Sequence, residues 1–153
     1  MLISKIISGG QTGVDRAALD FALDNMIPCG GWCPKGRIAE DGIIPKKYPL
    51  QESETKIYDE RTEKNVLDAD GTLIINNGKA LFGGTKYTHE FCLLHNKPCI
   101  VIDISDKKDF GKEFENWISK YDIKTLNIAG PRKSTQLDIY QKAVEVLQQL
   151  LHC

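Results

Sequence analysis

The glycine-rich stretch Gly9-Gly10-Gln11-Thr12-Gly13 holds the residue types best suited to binding a charged ligand. The apolar residues 2–7 before it predict a short buried strand, and the apolar spacing in residues 14–26 predicts a helix after it. Such a turn directs backbone N–H groups and the positive end of the helix dipole toward an anion. We expect Thr12 to cap the helix, with Asp15 three residues later as in a capping box. The stretch predicts a phosphate-binding turn, with an ordinary glycine-rich turn as the alternative.

Two nucleotide-binding motifs do not fit this stretch. No Gly-Lys-Ser/Thr follows the glycines, so the stretch is not a P-loop. The glycine spacing also differs from the dinucleotide fingerprint, and no acidic residue ends a second strand about 20 residues further on. That region holds Lys35 and Arg37 instead, which suit a phosphate better than a ribose diol. We therefore do not expect a plain NAD enzyme.

Two further glycine turns follow predicted strands. Gly83-Gly84-Thr85 comes shortly after the apolar run 71–76, and Gly130-Pro131-Arg132 directly follows the run 124–129. In a parallel sheet the carboxyl ends of the strands meet at one edge, and ligands bind there. The three turns therefore predict one shared site at that edge for a negatively charged small molecule.

Strands and helices alternate along the chain. Beyond the elements named above, residues 56–69, 86–96 and 110–121 fit helices, residues 99–103 fit a strand, and the last helix is expected to begin at Ser134. Near-continuous apolar strands between helices are typical of a parallel sheet covered on both faces. We predict a three-layer Rossmann-like α/β fold, with a mainly parallel sheet and helices on both faces, in a single domain of 153 residues.

Two segments carry local expectations. In the helix 86–96, Tyr87, Phe91 and Leu94 have helical spacing and are expected to be its buried stripe. Residues 27–54 contain prolines and glycines without a periodic pattern. A loop of this length is usually functional or disordered, so we expect an ordered loop that covers the ligand, with a floppy insertion as the alternative.

Composition and charge argue against several classes of protein. The chain is 41% hydrophobic and has a formal net charge of −1 at pH 7. It lacks the basic character that sequence-independent binding to nucleic acid requires, so we expect no nucleic-acid partner. No signal peptide and no apolar run of membrane-spanning length are evident, which favours a cytoplasmic protein without a membrane partner. The five cysteines are expected to be reduced thiols.

Long motifs run through nearly the whole chain. They are Gly9-Gly10-Gln11-Thr12-Gly13-Val14-Asp15-Arg16, Gly31-Trp32-Cys33-Pro34-Lys35-Gly36-Arg37, Glu40-Asp41-Gly42, Arg61-Thr62 with Asn65-Val66, Asp70-Gly71-Thr72-Leu73-Ile74, Gly83-Gly84-Thr85 and Asn127-Ile128-Ala129-Gly130-Pro131-Arg132. Together they resemble the molybdenum cofactor carrier family, part of a Rossmann-like superfamily that includes the Lonely-Guy phosphoribohydrolases. The resemblance implies a protein that binds molybdenum cofactor (molybdopterin), a pterin bearing a phosphate, usually as a homo-oligomer.

A pterin phosphate needs an anion cradle, a flat wall and polar groups for the edge of the ring. Arginines supply forked, charge-assisted hydrogen bonds to phosphate. Trp32 is a candidate to stack on the ring, although a tryptophan in a loop is as often packed on the core. The predicted cofactor-binding residues are Gly9, Gly10, Gln11, Thr12, Asp15, Arg16, Lys35, Arg37, Gly83, Gly84, Thr85, Thr88 and Arg132.

The resemblance puts catalysis in doubt. In the phosphoribohydrolase relatives a glutamate stands three residues after the threonine of the second glycine turn. Thr88 has that position here, and Glu90 lies two residues further, a rotation of about 200° around a helix. We therefore favour a carrier over the alternative, a nucleoside-monophosphate phosphoribohydrolase. No catalytic residue is assigned, and the candidate acids are Asp15, Glu40, Asp41 and Asp70.

A structural metal site is not expected. His89, Cys92 and His95 follow one another at intervals of three and do not form a compact set of ligands on a helix. Cys29 and Cys33 are separated by three residues instead of the usual two, so buried thiols are the simpler interpretation. Cys33 is the candidate for a soft thiolate near bound molybdenum.

Overall fold

A five-stranded parallel sheet is the centre of the computed structural model, which describes residues 3–78 and 80–151. In chain order the elements are β1 (Lys5–Ile7), α1 (Val14–Asp24), β2 (Cys29–Gly30), β3 (Trp32–Cys33), β4 (Ile38–Ala39), β5 (Gly42–Ile43), β6 (Gln51–Glu52), α2 (Tyr58–Asp68), β7 (Gly71–Asn76), α3 (Gly83–Leu94), β8 (Cys99–Asp103), α4 (Gly111–Tyr121), β9 (Thr125–Ala129) and α5 (Ile139–Leu151). The sheet order is β2-β1-β9-β7-β8, and all neighbouring pairs are parallel. None of the described helices has the length and apolar content to cross a membrane.

One face of the sheet is apolar and forms the main core. Because side chains alternate between the two faces of a strand, Leu73 and Ile75 of β7 point to the same side. Helices α1, α4 and α5 cover this side, with Phe114 and Leu147 fully buried against it. The remaining strand residues in this core include Ile6, Ile100, Ile102, Leu126 and Ile128. The three-layer α/β fold predicted from the sequence is confirmed.

The opposite face of the sheet is partly polar. Thr72 and Asn76 of β7 and Asn127 of β9 are buried there. Helices α2 and α3 pack against each other over this face. Burying amides and hydroxyls costs free energy unless they are hydrogen-bonded. Polar residues on a strand face where apolar ones would pack more favourably therefore indicate a ligand-binding role for this face.

The segment between α1 and α2 is ordered and packs on α1. Strands β3 and β6 pair in parallel, and β4 and β5 form a small antiparallel hairpin. A second apolar cluster joins Leu19 of α1 to Cys33, Ile44 and Tyr48 of the segment. The Tyr48 hydroxyl donates a hydrogen bond of 2.6 Å to Asp20 of α1. The sequence did not indicate β2, which adds the edge strand next to β1.

The predicted buried stripe of α3 is wrong. The helix begins at Gly83, so both glycines belong to its first turn. Tyr87 is 44% exposed and Leu94 is 70% exposed. The residues that α3 buries are instead Thr85, Thr88 and Cys92. The small polar face of α3 thus points inward, toward the polar side of the sheet.

Two predicted helix caps are also wrong. The N-cap of α1 is Gly13, without a side-chain hydrogen bond, and α5 begins at Ile139. The hydroxyls of Thr12 and Ser134, which we expected to cap these helices, both donate to the carboxylate of Glu40. Glu40 lies in the turn between β4 and β5. Its charged carboxylate orients both hydroxyls away from the helix termini, since hydrogen bonds to charged acceptors are stronger than neutral ones.

Candidate functional site

A cavity of about 740 Å³ lies at the carboxyl edge of the sheet. It is enclosed by α2, by the N-terminal half of α3 and by the connection between β9 and α5. Its lining residues come from the three glycine turns and the segments next to them, from α2, and from the ends of β7 and β9: Gly9, Gln11, Asp15, Arg61, Thr62, Asn65, Asn76, Ala80, Leu81, Phe82, Gly83, Gly84, Thr85, Thr88, Asn127, Ala129, Gly130, Pro131, Arg132, Ser134, Thr135 and Gln136.

A buried ion pair between Asp15 and Arg61 lies in the cavity wall. Arg61 Nη1 is 3.3 Å from Asp15 Oδ2, which also accepts a hydrogen bond of 3.3 Å from the N–H of Gln11. Burial raises the pKa of the Asp15 carboxyl above its usual range, although the Arg61 guanidinium acts in the opposite direction. A Cβ on Gly9 would lie 1.4 Å from Arg61 Nη1, so Gly9 leaves room for the guanidinium.

Amide side chains extend the polar surface of the cavity. The Asn65 amide both donates to and accepts from the Trp32 backbone, at 3.0 and 2.8 Å. Gln136 Nε2 donates to Asn76 Oδ1 at 3.3 Å. Within residues 3–78 and 80–151, Arg61 Nε and Gln136 Oε1 are buried without a hydrogen-bond partner. Both atoms are inaccessible to solvent although the cavity is nearby, so a ligand reaches them only when their side chains move.

The N-terminus of α1 is covered by the protein itself. The N–H of Val14 donates to the carbonyl of Pro131 at 3.2 Å. The N–H groups of Gly10, Gln11 and Thr12 donate to side-chain oxygens of Ser8, Asp15 and Gln11, respectively. The first glycine turn therefore folds onto its own neighbours, and its N–H groups are largely taken.

The N-terminus of α3 is open to the cavity. Its first turn has no acidic residue and its N-cap, Phe82, makes no side-chain capping bond. Among the described residues, no protein acceptor receives the N–H groups of Gly83, Gly84 and Thr85. The first N–H groups of a helix have no partner within the helix, and together with the dipole they attract an anion.

Two arginine side chains of the cavity lining lie near the ring of Tyr58. The guanidinium of Arg132 lies 5.7 Å from the ring centre of Tyr58, and that of Arg61 lies 5.4 Å from the same ring. Such distances allow cation–π attraction, which holds both guanidiniums near the cavity. Arg132 Nη1 is also 3.9 Å from Glu40 Oε2.

Glu40 links the β4–β5 hairpin to the rim of the cavity. Its carboxylate accepts hydrogen bonds from the Ser134 N–H and hydroxyl, at 3.1 and 2.6 Å, and from the Thr12 hydroxyl. Partial burial raises the pKa of the Glu40 carboxyl, but the hydrogen bonds from Ser134 and Thr12 and the nearby Arg132 together lower it below its usual range. The hairpin therefore supports the rim without lining the cavity.

The structure brings eight of the predicted cofactor-binding residues together around the cavity. They are Gly9, Gln11, Asp15, Gly83, Gly84, Thr85, Thr88 and Arg132. Residues from all three glycine turns thus share one cavity at the carboxyl edge of the sheet.

Five predicted residues lie outside the cavity lining: Gly10, Thr12, Arg16, Lys35 and Arg37. Arg16 donates to both carboxylate oxygens of Asp41 at 3.1 Å and to the Gly10 carbonyl. Arg37 donates to the carbonyls of Ile44, Pro45, Tyr48 and Leu50, which fastens the loop on itself. Lys35 is exposed.

Trp32 and Cys33 also lie outside the cavity lining. The Trp32 indole N–H donates to Asp68 at 2.7 Å, and Lys64 lies over its ring. Cys33 is fully buried in the cluster on α1, and burial raises the pKa of its thiol. The segment 27–54 that we expected to cover the ligand therefore contributes no lining residue.

The polar lining residues that sequence reasoning missed as site residues include Arg61, Asn65, Asn127 and Gln136. A signal was present for the first three, since each is a polar residue within a predicted helix or strand, and the structure buries all three. Arg61 and Asn65 are four residues apart on α2 and share one face. Gln136 lies in the irregular connection before α5, where no periodic pattern marks it.

The candidate acids differ in their surroundings. Asp15 is the one candidate that lines the cavity. Asp70 accepts hydrogen bonds of 2.9 Å from the N–H groups of Lys124 and Thr125 and joins two strand ends. At the position of the relatives' glutamate, Thr88 lines the cavity, whereas Glu90 is exposed and lies 4.0 Å from Lys86. No cluster of three or more metal-ligating side chains occurs among the described residues.

Comparison with known proteins agrees with this architecture. A family profile described as the circularly permutated YpsA SLOG family matches residues 6–151. The crystal structure of a protein from Syntrophus aciditrophicus SB, named putative molybdenum carrier protein, is 50% identical with a TM-score of 0.91, over 97% of this chain and 95% of that chain. No curated protein matches the sequence. The family predicted from the motifs is confirmed.

Proposed function

The chain belongs to the circularly permutated YpsA SLOG family, and from that premise we propose that it is a carrier that binds molybdenum cofactor in the cavity between α2 and α3. The name of the Syntrophus protein, a molybdenum carrier, supports molybdenum as the cargo, and the polar cavity supports binding of a phosphorylated heterocycle. A volume of about 740 Å³ is in the range of small-molecule sites.

The phosphate end of the ligand belongs at the N-terminus of α3. Gly83, Gly84 and Thr85 offer three N–H groups there, and Arg132 adds a guanidinium. A charge-assisted hydrogen bond to phosphate is about twice as strong as a neutral one. The Ser134 hydroxyl, which also lines the cavity, donates to Glu40 and so belongs to the rim.

The ring end of the ligand belongs near the Asp15–Arg61 pair. Arg61 is 8% exposed, and its Nε is a buried donor without a partner among the described residues. Gln136 Oε1 is the matching buried acceptor. A pterin edge presents both donors and acceptors, which suits the polar wall of the cavity. The open N-terminus of α3, whose first N–H groups have no acceptor among the described residues, is the observation on which the proposal rests.

A thermal-shift titration tests the proposal. Purified protein is titrated with molybdopterin, adenosine monophosphate and adenosine, because a ligand that binds only the native state raises its melting temperature. We expect stabilisation by the two phosphorylated compounds, loss of that effect in Arg132→Ala, and no loss in the control Lys35→Ala. If neither phosphorylated compound raises the melting temperature, the proposal is contradicted.

A second function is favoured by one observation, the Asp15 carboxyl in the cavity wall. It is the one candidate acid in the lining, and a carboxyl next to a glycosidic bond exchanges a proton with the substrate as a general acid or base. The corresponding activity is hydrolysis of nucleoside monophosphates to free base and ribose phosphate. Incubation with nucleoside monophosphates and chromatography for the base decides this, with Asp15→Asn as the variant that abolishes release. No release by the wild-type protein removes the second function.

A further inference from the structure

Two thiols meet between α3 and β8, on the side of the sheet that α3 covers. Cys92 is fully buried near the end of α3, and Cys99 is half-buried at the start of β8. The Cys99 thiol donates a hydrogen bond to the Cys92 sulfur. All the cysteines that the structure describes are free thiols. The pair is therefore a dithiol in direct contact, with one member open to solvent.

The backbone around the connection from α3 to β8 holds the two thiols in place. The Lys97 N–H donates to the Cys92 carbonyl at 2.9 Å, so the chain turns back directly after the helix. In β8 the side chain of Ile100 points into the main core, and Cys99 next to it therefore faces α3. The sheet register pairs Cys99 with Thr72 of β7, whose side chain is buried on the same face. The contact between the thiols is thus part of the packed structure.

The surroundings of Cys92 favour a negative charge on its sulfur. The hydrogen bond from Cys99 lowers the pKa of the Cys92 thiol, against the effect of burial. The Thr72 hydroxyl and the positive charge of Lys97 act in the same direction as Cys99. The same hydrogen bond raises the pKa of the Cys99 thiol. Cys92 is therefore the proton acceptor of the pair, and the thiolate is the reactive form of cysteine.

The thiol pair shares a face of α3 with the cavity. The residues that α3 buries are Thr85, Thr88 and Cys92, and both threonines line the cavity. Cys92 lies one turn after Thr88, so the two side chains point to the same side of the helix. A covalent bond from Cys92 to β8 would therefore hold the helix whose N-terminus faces the cavity.

We propose that Cys92 and Cys99 are a modification site, at which a peroxide forms a reversible disulfide that fixes α3 to the edge strand of the sheet. Hydrogen peroxide reaches the half-buried Cys99 first. The disulfide follows from the contact between the two thiols and does not depend on which ligand the cavity binds.

The oxidation takes two steps. Cys99 gives its proton to Cys92, and its sulfur attacks one oxygen of the peroxide. The S–O bond forms, the O–O bond breaks and one water leaves, so Cys99 becomes a sulfenic acid. The Cys92 sulfur then attacks the Cys99 sulfur, so that the S–S bond forms, the S–O bond breaks and a second water leaves. Overall the two thiols lose two electrons and two protons, and one hydrogen peroxide becomes two waters.

Peptide mapping of the full chain after treatment with hydrogen peroxide tests the disulfide. Free thiols are alkylated in denaturant, and the chain is then cleaved with trypsin. Cys92 and Cys99 share the peptide 87–107, because trypsin cleaves poorly between a lysine and a proline, and Cys29 and Cys33 share the peptide 17–35. The second peptide is thus a matched control within the same sample.

The disulfide predicts a difference between the two peptides. We expect peptide 87–107 to lose both alkyl labels and two hydrogen atoms at least about tenfold faster than peptide 17–35 does. Dithiothreitol is expected to restore both labels. Two outcomes overturn the disulfide: both labels persist in peptide 87–107 at peroxide concentrations that oxidise the other cysteines, or the two peptides form disulfides at equal rates.

Trapping of the sulfenic acid tests the order of the two steps. In Cys92→Ser the second step is blocked, so we expect dimedone, which reacts with sulfenic acids, to label Cys99. Circular dichroism and a melting curve verify that the variant is folded. The order is contradicted if Cys99 stays unlabelled there while dimedone labels Cys92 in Cys99→Ser.

Hydrogen exchange of the ligand-free protein tests whether the disulfide fixes α3. We expect the amides of residues 87–94 to exchange at least about threefold more slowly after oxidation, because the bond restricts local opening of the helix. Cys99→Ser treated with the same peroxide is the control and is expected to show no change. Equal exchange of the wild-type helix before and after disulfide formation would contradict the fixing of α3, whatever the cavity binds.

Discussion

The N-termini of α1 and α3 lie at the same edge of the sheet, and glycines precede the first and open the second, yet their surroundings differ. At α1 the Pro131 carbonyl accepts the Val14 N–H, and the turn before it bonds to its own side chains. At α3 the first N–H groups face the cavity without a protein acceptor among the described residues. One helix end is used for packing and the other is left for a ligand.

The glycines themselves show the same difference. A Cβ on Gly13 would lie 2.3 Å from the Pro131 carbonyl oxygen, and its φ of +80° is in the region that favours glycine. A Cβ on Gly84 would meet nothing within 4 Å. A glycine before a helix thus serves either close packing of another chain segment or access of a ligand. The sequence motif alone does not distinguish the two uses.

The largest expected effect comes from adding a methyl group at each helix end. Gly13→Ala is expected to lower the free energy of unfolding by at least about 3 kcal/mol, because it combines backbone strain with a clash against backbone. Gly84→Ala is expected to raise it by up to about 1 kcal/mol, because alanine is favoured over glycine in a helix. Urea unfolding of both variants measures the difference. Equal effects would show that the two N-termini are packed alike.

Two arginines extend the comparison to side chains. Arg37→Ala removes hydrogen bonds to four carbonyls and is expected to cost about 2 kcal/mol of stability, with ligand affinity unchanged. Arg132→Ala loses one long ion pair and the cation–π contact with Tyr58, and it is expected to change stability by no more than about 1 kcal/mol. It should weaken binding of adenosine monophosphate at least about tenfold. Urea unfolding measures the stability of both variants, and calorimetric titration measures their affinity. A stability loss confined to Arg132→Ala would refute this difference between the two arginines.

The smallest expected effect is a pH dependence of the stability that Glu40 contributes at the rim of the cavity. The pKa of Glu40 is lowered in the folded protein, so its contribution to stability is present above the unfolded pKa near 4.5 and is lost as pH falls through the lower folded value. We expect the amide resonance of Ser134, which donates to Glu40, to titrate with a midpoint below 4.5. Glu40→Gln is the control without this titration. A midpoint at or above 4.5 contradicts the assignment.

The sequence predicts the buried strands best. The bounds of β7 and β8, residues 71–76 and 99–103, agree with the prediction because a continuous apolar run has one way to be buried in a parallel sheet. The stripe of α3 was wrong because periodicity identifies an apolar face without saying whether the core or another molecule covers it. Thr85 and Thr88 point inward because they line the cavity, and no local sequence pattern reveals that a cavity lies there.

The candidate site is predicted only in part for a related reason. Gly83, Gly84 and Arg132 follow strand ends, and the topology of a parallel sheet brings strand ends together. Arg61 and Asn65 come from the middle of α2, and their place in the cavity depends on how α2 packs on the sheet. Arg37 has the charge expected of a phosphate ligand, but its four carbonyl partners lie in a loop whose path the sequence does not specify.

The most direct test of the account compares the amides of the two helix ends in one spectrum. ¹⁵N-labelled protein is titrated with adenosine monophosphate, with adenosine as the control, and the backbone amide shifts are followed by NMR. The account predicts that the phosphate-dependent shifts are largest at Gly83, Gly84 and Thr85 and small at residues 10–14. Shifts concentrated at residues 10–14, with α3 unchanged, would contradict it.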